Sequence, residues 1–220
     1  MKIQKAISLS LISLGIIFIG CNKNNNDPVP VFGNGTMNVA TSSSATNVTG
    51  GVITTFRINL EAIRFRTIAN DPLLPDNTIQ IAPLVGPFGL VLMGTGTGST
   101  IPSAPMPNAT YDLLKFDLKR GTSIPMNNIS ILIEGTIGNK PFKMWHDMEP
   151  TWQKTLNNLV INGNALNFKI NFVLDGLNLS GAIDGDANGT IEISPSDPDG
   201  NKTLADNIAL HIKNNLAVTY

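Results

Sequence analysis

One cysteine, Cys21, serves all 220 residues, so no intrachain disulfide can form and no Cys/His cluster exists for a structural zinc. The fold must stand on apolar burial and hydrogen bonding. Histidine is nearly as scarce, at His146 and His211 alone. His146 stands in Trp145-His146-Asp147-Met148-Glu149, which lacks the His-Glu-x-x-His spacing of zinc proteases, and no Gly-x-Ser-x-Gly turn occurs to seat a nucleophile. His211 falls seven residues after Leu204, near an apolar helix face, and reads as structural. Carboxylate pairs of the glycosidase kind are set by space and not by sequence, so a hydrolase stays open without a nominated site. Charge is low as well. Asp, Glu, Lys and Arg make up 14% of the chain, against about 25% in typical globular domains, and Asn, Thr, Ser and Gly take their place. With no basic block and no Arg/Lys stripe between aromatics, nucleic acid is not an expected partner.

What is present begins with residues 1–21. Lys2 and Lys5 form a short positive start, Ala6 to Ile19 an apolar run broken by Ser8, Ser10, Ser13 and Gly15, and Phe18-Ile19-Gly20-Cys21 closes it. That order is a secretory signal, too short for the roughly 20 apolar residues of a spanning helix. The closing tetrad resembles the lipobox of bacterial lipoproteins, in its looser Gram-negative and spirochaetal form with Phe18 where Leu is usual. The resemblance implies a diacylglycerol on Cys21, cleavage before it, and attachment to a membrane through two or three acyl chains, which suffices for stable anchoring. An ordinary signal peptide with an incidental thiol, or an uncleaved anchor, would explain the same residues. Loss of Lys2 and Lys5 takes Lys+Arg from 15 to 13 against 16 acids, a formal net charge of −3.

Residues 21–35 carry the anchor cysteine and an Asn- and Pro-rich tether with too little apolar content to pack. Residues 36–220 are long enough for one domain. The strand period dominates it. Thr36 to Thr41 reads as a first strand. In Val52 to Ile68, Phe56, Ile58 and Leu60 share one face and Ile63 and Phe65 resume it after a step of one residue, which predicts a β-bulge. Arg57, Asn59, Arg64 and Arg66 take the other face, expected to be solvated. Thr78 to Ala82 is a strand with Ile79 and Ile81 inward. Gly94, Gly96 and Gly98 superficially match a phosphate-cradling loop, but Pro102, Pro105 and Pro107 forbid the helix such a loop must open, and the stretch reads as a flexible loop. Thr110 to Lys119 alternates with a second step between Leu113 and Leu114. Ser130 to Trp145 reads as a hairpin around Gly138-Asn139, and Asn158 to Phe172 as another around Asn162-Gly163. Last, Leu204, Ile208 and Ile212 recur every four residues behind a Thr203/Asp206 capping box, predicting a helix from Thr203 to Asn215. The whole is expected to be an antiparallel β-sandwich with one C-terminal helix.

Two candidate sites stand out. Trp145 and Trp152, the only tryptophans, lie within eight residues of each other and of His146, as an aromatic platform for a sugar or protein ligand or, more plainly, as core lids. Asp184-Gly185-Asp186-Ala187-Asn188-Gly189-Thr190-Ile191-Glu192 resembles the start of an EF-hand-type loop. That resemblance implies calcium held by Asp184, Asp186, Asn188 and the Thr190 carbonyl, with Gly189 at the sharp turn. Pro195 stands where the closing acid belongs, so Asp197 or Asp199 would have to complete the shell. A plain Asp/Asn/Gly turn between strands explains the same residues.

Lipobox, Asn-rich tether and strand-rich body with a late helix together resemble the small β-sandwich lipoproteins displayed by Gram-negative and spirochaetal cells. The resemblance implies an outer-membrane or cell-surface location and no particular activity. The expected role is a non-catalytic surface module binding a glycan or protein partner. An extracytoplasmic hydrolase and a structural envelope component are the alternatives.

Overall fold

The computed structural model describes residues 32–45, 48–73, 78–94 and 100–220, with the backbone alone for 32–35 and 79–83. The signal and Cys21, most of the glycine loop, and the facing of Ile79 and Ile81 lie outside the described residues. In chain order the elements are β1 (Phe32–Ser44), β2 (Val52–Thr67), β3 (Thr78–Met93), β4 (Ala104–Pro107), β5 (Ala109–Leu118), β6 (Ile131–Ile137), β7 (Lys140–His146), β8 (Thr151–Ile161), β9 (Leu166–Val173), β10 (Ile191–Ile193), α1 (Lys202–Asn214) and β11 (Ala217–Thr219). They build a two-sheet β-sandwich with one C-terminal helix. A small sheet runs β11-β9-β1-β4, and a large one β10-β7-β6-β2-β5-β8 with β3 also on β2.

β2 organises the large sheet. It pairs with β3 along 56–66, with β6 over 52–58 and with β5 over 60–67. The register breaks between Leu60 and Ala62 against both β3 and β5, so the expected bulge falls at Glu61. It returns Ile63 and Phe65 to the face of Phe56, Ile58 and Leu60, all fully buried. Beside the bulge the ladder passes from β6 to β5. Asn59, itself buried, donates its backbone N–H to the Ser130 carbonyl, accepts from Lys119 N–H, and donates its side-chain amide to the Lys119 carbonyl. Near the second expected step, β5 shifts register against β8 between Tyr111 and Leu113, one residue before the place expected. Across the sandwich, Phe56 and Phe116 meet Phe172 edge-on, and Phe65 meets Phe168. Tyr111, in the same layer, donates its hydroxyl to the Pro107 carbonyl at 2.8 Å; burial, with Asp71 nearby, pushes its ionisation far above the ordinary range.

Several expectations are corrected. β8 and β9 are not a hairpin: β8 pairs with β5 and β9 with β1 and β11, in different sheets. Both segments bury apolar faces toward one core, and the sandwich brings those faces together across the layers instead of edge to edge. The stretch before Tyr111 is not all loop, since Ala104–Pro107 forms β4 against β1. It sits at the sheet edge, where proline's missing N–H costs no ladder bond. Two pairings are parallel, β1 with β9 and β7 with β10; the other strand pairs are antiparallel. Two of the three arginines of β2 are cross-strand ion-paired: Arg64 with Asp117, and Arg66 with Asp112 through two bonds of 3.0 and 2.8 Å. Asn59 on that face is buried, not solvated.

α1 begins one residue before the expected Thr203, and no capping box forms. Asp206 is drawn instead to His146 Nε2 (3.1 Å) and Lys202 Nζ (3.1 Å), while Asp197 accepts the Lys202 backbone N–H at 2.6 Å. Ala205, Ile208, Ala209 and Ile212 are buried, as the four-residue recurrence requires. No helix among the described residues is long and apolar enough to cross a membrane.

Candidate functional site: the Asp184–Asp199 loop

The loop starts after Ile183 and returns as β10, so Ile191, the apolar eighth position of the run, enters a strand on β7. Asn201 clamps its base: the side-chain amide accepts from Ile183 N–H and donates to the carbonyls of Ile183 (2.7 Å) and Glu192 (2.9 Å). With its amide so used, Asn201 leaves the start of α1 to Asp197. Two glycines are required by the path. A Cβ on Gly185 would lie 2.5 Å from the Asp199 carbonyl oxygen, and Gly189 turns the chain at φ +90°, a region L side chains rarely adopt.

Asp184, Asp186 and Asp199 each bring one carboxylate oxygen to within 4.8 Å of the others. Two of these were expected together. Of the two residues weighed for that place, Asp199 joins the cluster and Asp197 accepts the Lys202 N–H at the start of the helix. Asp199, 2% exposed, accepts from Asp186 N–H at 3.1 Å and Glu192 N–H at 2.5 Å. Backbone N–H groups 13 and 7 residues away thus hold it across the loop, and it supplies the carboxylate that the Pro195 side chain cannot. Asp184 Oδ2 accepts from Gly189 N–H at 3.1 Å and from Lys140 Nζ at 2.6 Å. Its Oδ1 is buried and meets no donor, within a side chain only 3% exposed. Asn188 Oδ1 accepts from Thr190 N–H, and its Nδ2 donates to Asp186 at 2.9 Å. Thr190 is fixed by the same bond.

Both buried carboxyls stay below the usual carboxylate range. For Asp184 the main cause is the Lys140 hydrogen bond, aided by the Gly189 and Asn188 N–H groups and opposed by burial; for Asp199 it is the Glu192 N–H, then that of Asp186, opposed by burial and by the Asp184 charge. One of the three carboxylates, Asp184, is thus paired with an ammonium, and its other oxygen is unpaired. Lys140 had no signal in the sequence, 44 residues from Asp184. It arrives because β7 and β10 are neighbours.

The tryptophans do not form a platform. Trp152 is 2% exposed in the main core. Trp145 alternates with core-facing Met144 onto the opposite face of the large sheet, half-buried beside Met126, Ile129 and Leu132. His146 accepts Met148 N–H on Nδ1, so its proton sits on Nε2 toward Asp206. His211 Nε2 donates to the Asp175 carbonyl at 2.9 Å, a structural tie. On the outward face of β2 and β3, a groove of about 330 Å³ is lined by Arg57, Asn59, Glu61, Pro87, Lys119 and Arg120.

No protein-family model, curated protein or solved structure matches the chain. The fold and the acidic loop define it only as a two-sheet β-sandwich with a candidate cation centre at one end of β7.

Proposed function

We propose that this chain is an exported, lipid-anchored β-sandwich module of the bacterial outer membrane or cell surface that holds calcium in the 184–199 loop. Its exposed surface is then free to bind a glycan or protein partner. The observation that carries the metal reading is Asp184 Oδ1, a buried carboxylate oxygen without a donor on one of three converging carboxylates. Leaving such an atom unpaired is costly, and a hard cation that takes six to eight oxygens supplies what the protein does not. The anchor reading is supported by the Phe18-Ile19-Gly20-Cys21 order. With β1 beginning at Phe32, residues 22–31 give a reach of at most about 35 Å from the lipid. The groove over β2 and β3 supports a ligand-binding role better than the buried Trp152 does.

The test of the metal reading is a thermal melt of the full chain in detergent, in EDTA and in millimolar calcium. A site in the range of extracellular modules, about 10⁻⁴ to 10⁻³ M, gives about 1.4 kcal/mol at tenfold excess over Kd. That raises Tm by roughly 3 to 6 °C for a domain of this size. The rise is expected to vanish in Asp184→Asn and Asp199→Asn. Superimposable melts of the natural sequence end the metal reading. Turnover of a glycan or peptide by the purified chain would replace the binding module with a hydrolase.

A further inference from the structure

The cation already resting on Asp184 is part of the chain. Lys140 Nζ lies 2.6 Å from Asp184 Oδ2, delivered by the first residue of β7 at the tip of the β6–β7 hairpin. β10 runs in register beside it, Ile191 opposite Phe142 and Glu192 opposite Lys143, so the tip is fixed against the loop. The two partners differ in freedom. Asp184 is 3% exposed and held also by Gly189 N–H, whereas the Lys140 side chain is 51% exposed, half of it already in water.

We propose that Lys140 is a tethered counter-ion that competes with calcium for Asp184, so that metal enters as the ammonium leaves. The inference rests on the calcium reading above and adds its regulation. A dication among Asp184, Asp186 and Asp199 shares one carboxylate with the ammonium. Like charges a few ångströms apart in a partly desolvated site repel far more than they do in water. The lysine is the partner that can retreat, and its hydration compensates for the lost ion pair. In the metal-free state the ammonium offsets one of three clustered negative charges, which keeps the loop folded before metal arrives. The apparent affinity for calcium is accordingly weaker than the carboxylate set would give alone, by the fraction of molecules in which Lys140 is bound. A monovalent ion brings no more charge than the ammonium it must displace, so the exchange favours divalent cations.

Calorimetric titration of the full chain with calcium chloride, for the natural sequence, Lys140→Met and Lys140→Gln, tests this. Melts in EDTA establish that each variant is folded. Both substitutions are expected to tighten the apparent Kd about tenfold, equivalent to 1.4 kcal/mol. Unchanged or weakened binding in both folded variants overturns the competition while leaving the calcium reading intact. Absence of binding in all three up to about 10 mM, beyond the range of extracellular sites, overturns the calcium reading and the competition with it.

Discussion

Asp184, Asp199 and Asp206 each release their protons more readily than a free carboxyl, for local reasons that differ. Lys140 dominates at Asp184, a backbone N–H at Asp199, and at Asp206 the His146 hydrogen bond followed by that of Lys202. Since the folded-state values lie below the unfolded ones, the unfolded chain binds more protons as pH falls. The stabilisation is fully present above the unfolded value of about 3.9 and is lost as pH drops through the folded values. The urea midpoint is therefore expected to be flat above about pH 5 and to fall below about pH 4. Asp184→Asn and Asp199→Asn should lower it at pH 7 and flatten the acid slope. An identical slope in both variants would show that other groups govern acid unfolding. None of these partners follows from a motif. Lys140 is the clearest case, an ordinary hairpin lysine until the register of β7 and β10 is known.

Among the elements, the strands most legible in the sequence were those whose burial alternates without help from distant contacts. Phe56, Ile58, Leu60, Ile63 and Phe65 announced both β2 and its bulge, because one inserted residue must flip every later side chain unless the backbone absorbs it. Trp145 and Trp152 show the opposite case, being near in sequence yet on opposite faces of the large sheet. Trp152→Ala, which empties a site 2% exposed, is expected to cost about 3 to 5 kcal/mol. Trp145→Ala, on the outer face, should cost about 1 kcal/mol. Comparison of their urea midpoints checks this, and equal losses would contradict the placement. The helix illustrates a local signal overridden by tertiary demand. Thr203 and Asp206 have capping-box spacing, but Asp206 serves His146 on β7, and Asp197 satisfies the first turn in its place.

For the whole molecule, the anchor and the sandwich are separate questions. The fold stands without disulfide through apolar layers, and β1 joins the small sheet between β9 and β4, so the chain segment next to the proposed anchor is tied into the body. Metabolic labelling with a radioactive fatty acid is expected to mark the natural chain and to leave Cys21→Ala unlabelled. Equal labelling of both would remove Cys21 as the lipid site, with no consequence for the calcium proposal at the 184–199 loop.

The sequence by itself determined that this is a strand-rich body with one late helix, that β2 and β5 each carry a phase step, and that Asp184 and Asp186 share a turn. All of these are set by spacing over a few residues. Only the tertiary structure decided that β8 and β9 belong to different sheets, that β1 and β9 run parallel, that Asp199 and not Asp197 faces the loop, and that Lys140 rests on Asp184. Each of those depends on which surfaces meet across the core, and local periodicity specifies which face of a strand is apolar without specifying what covers it.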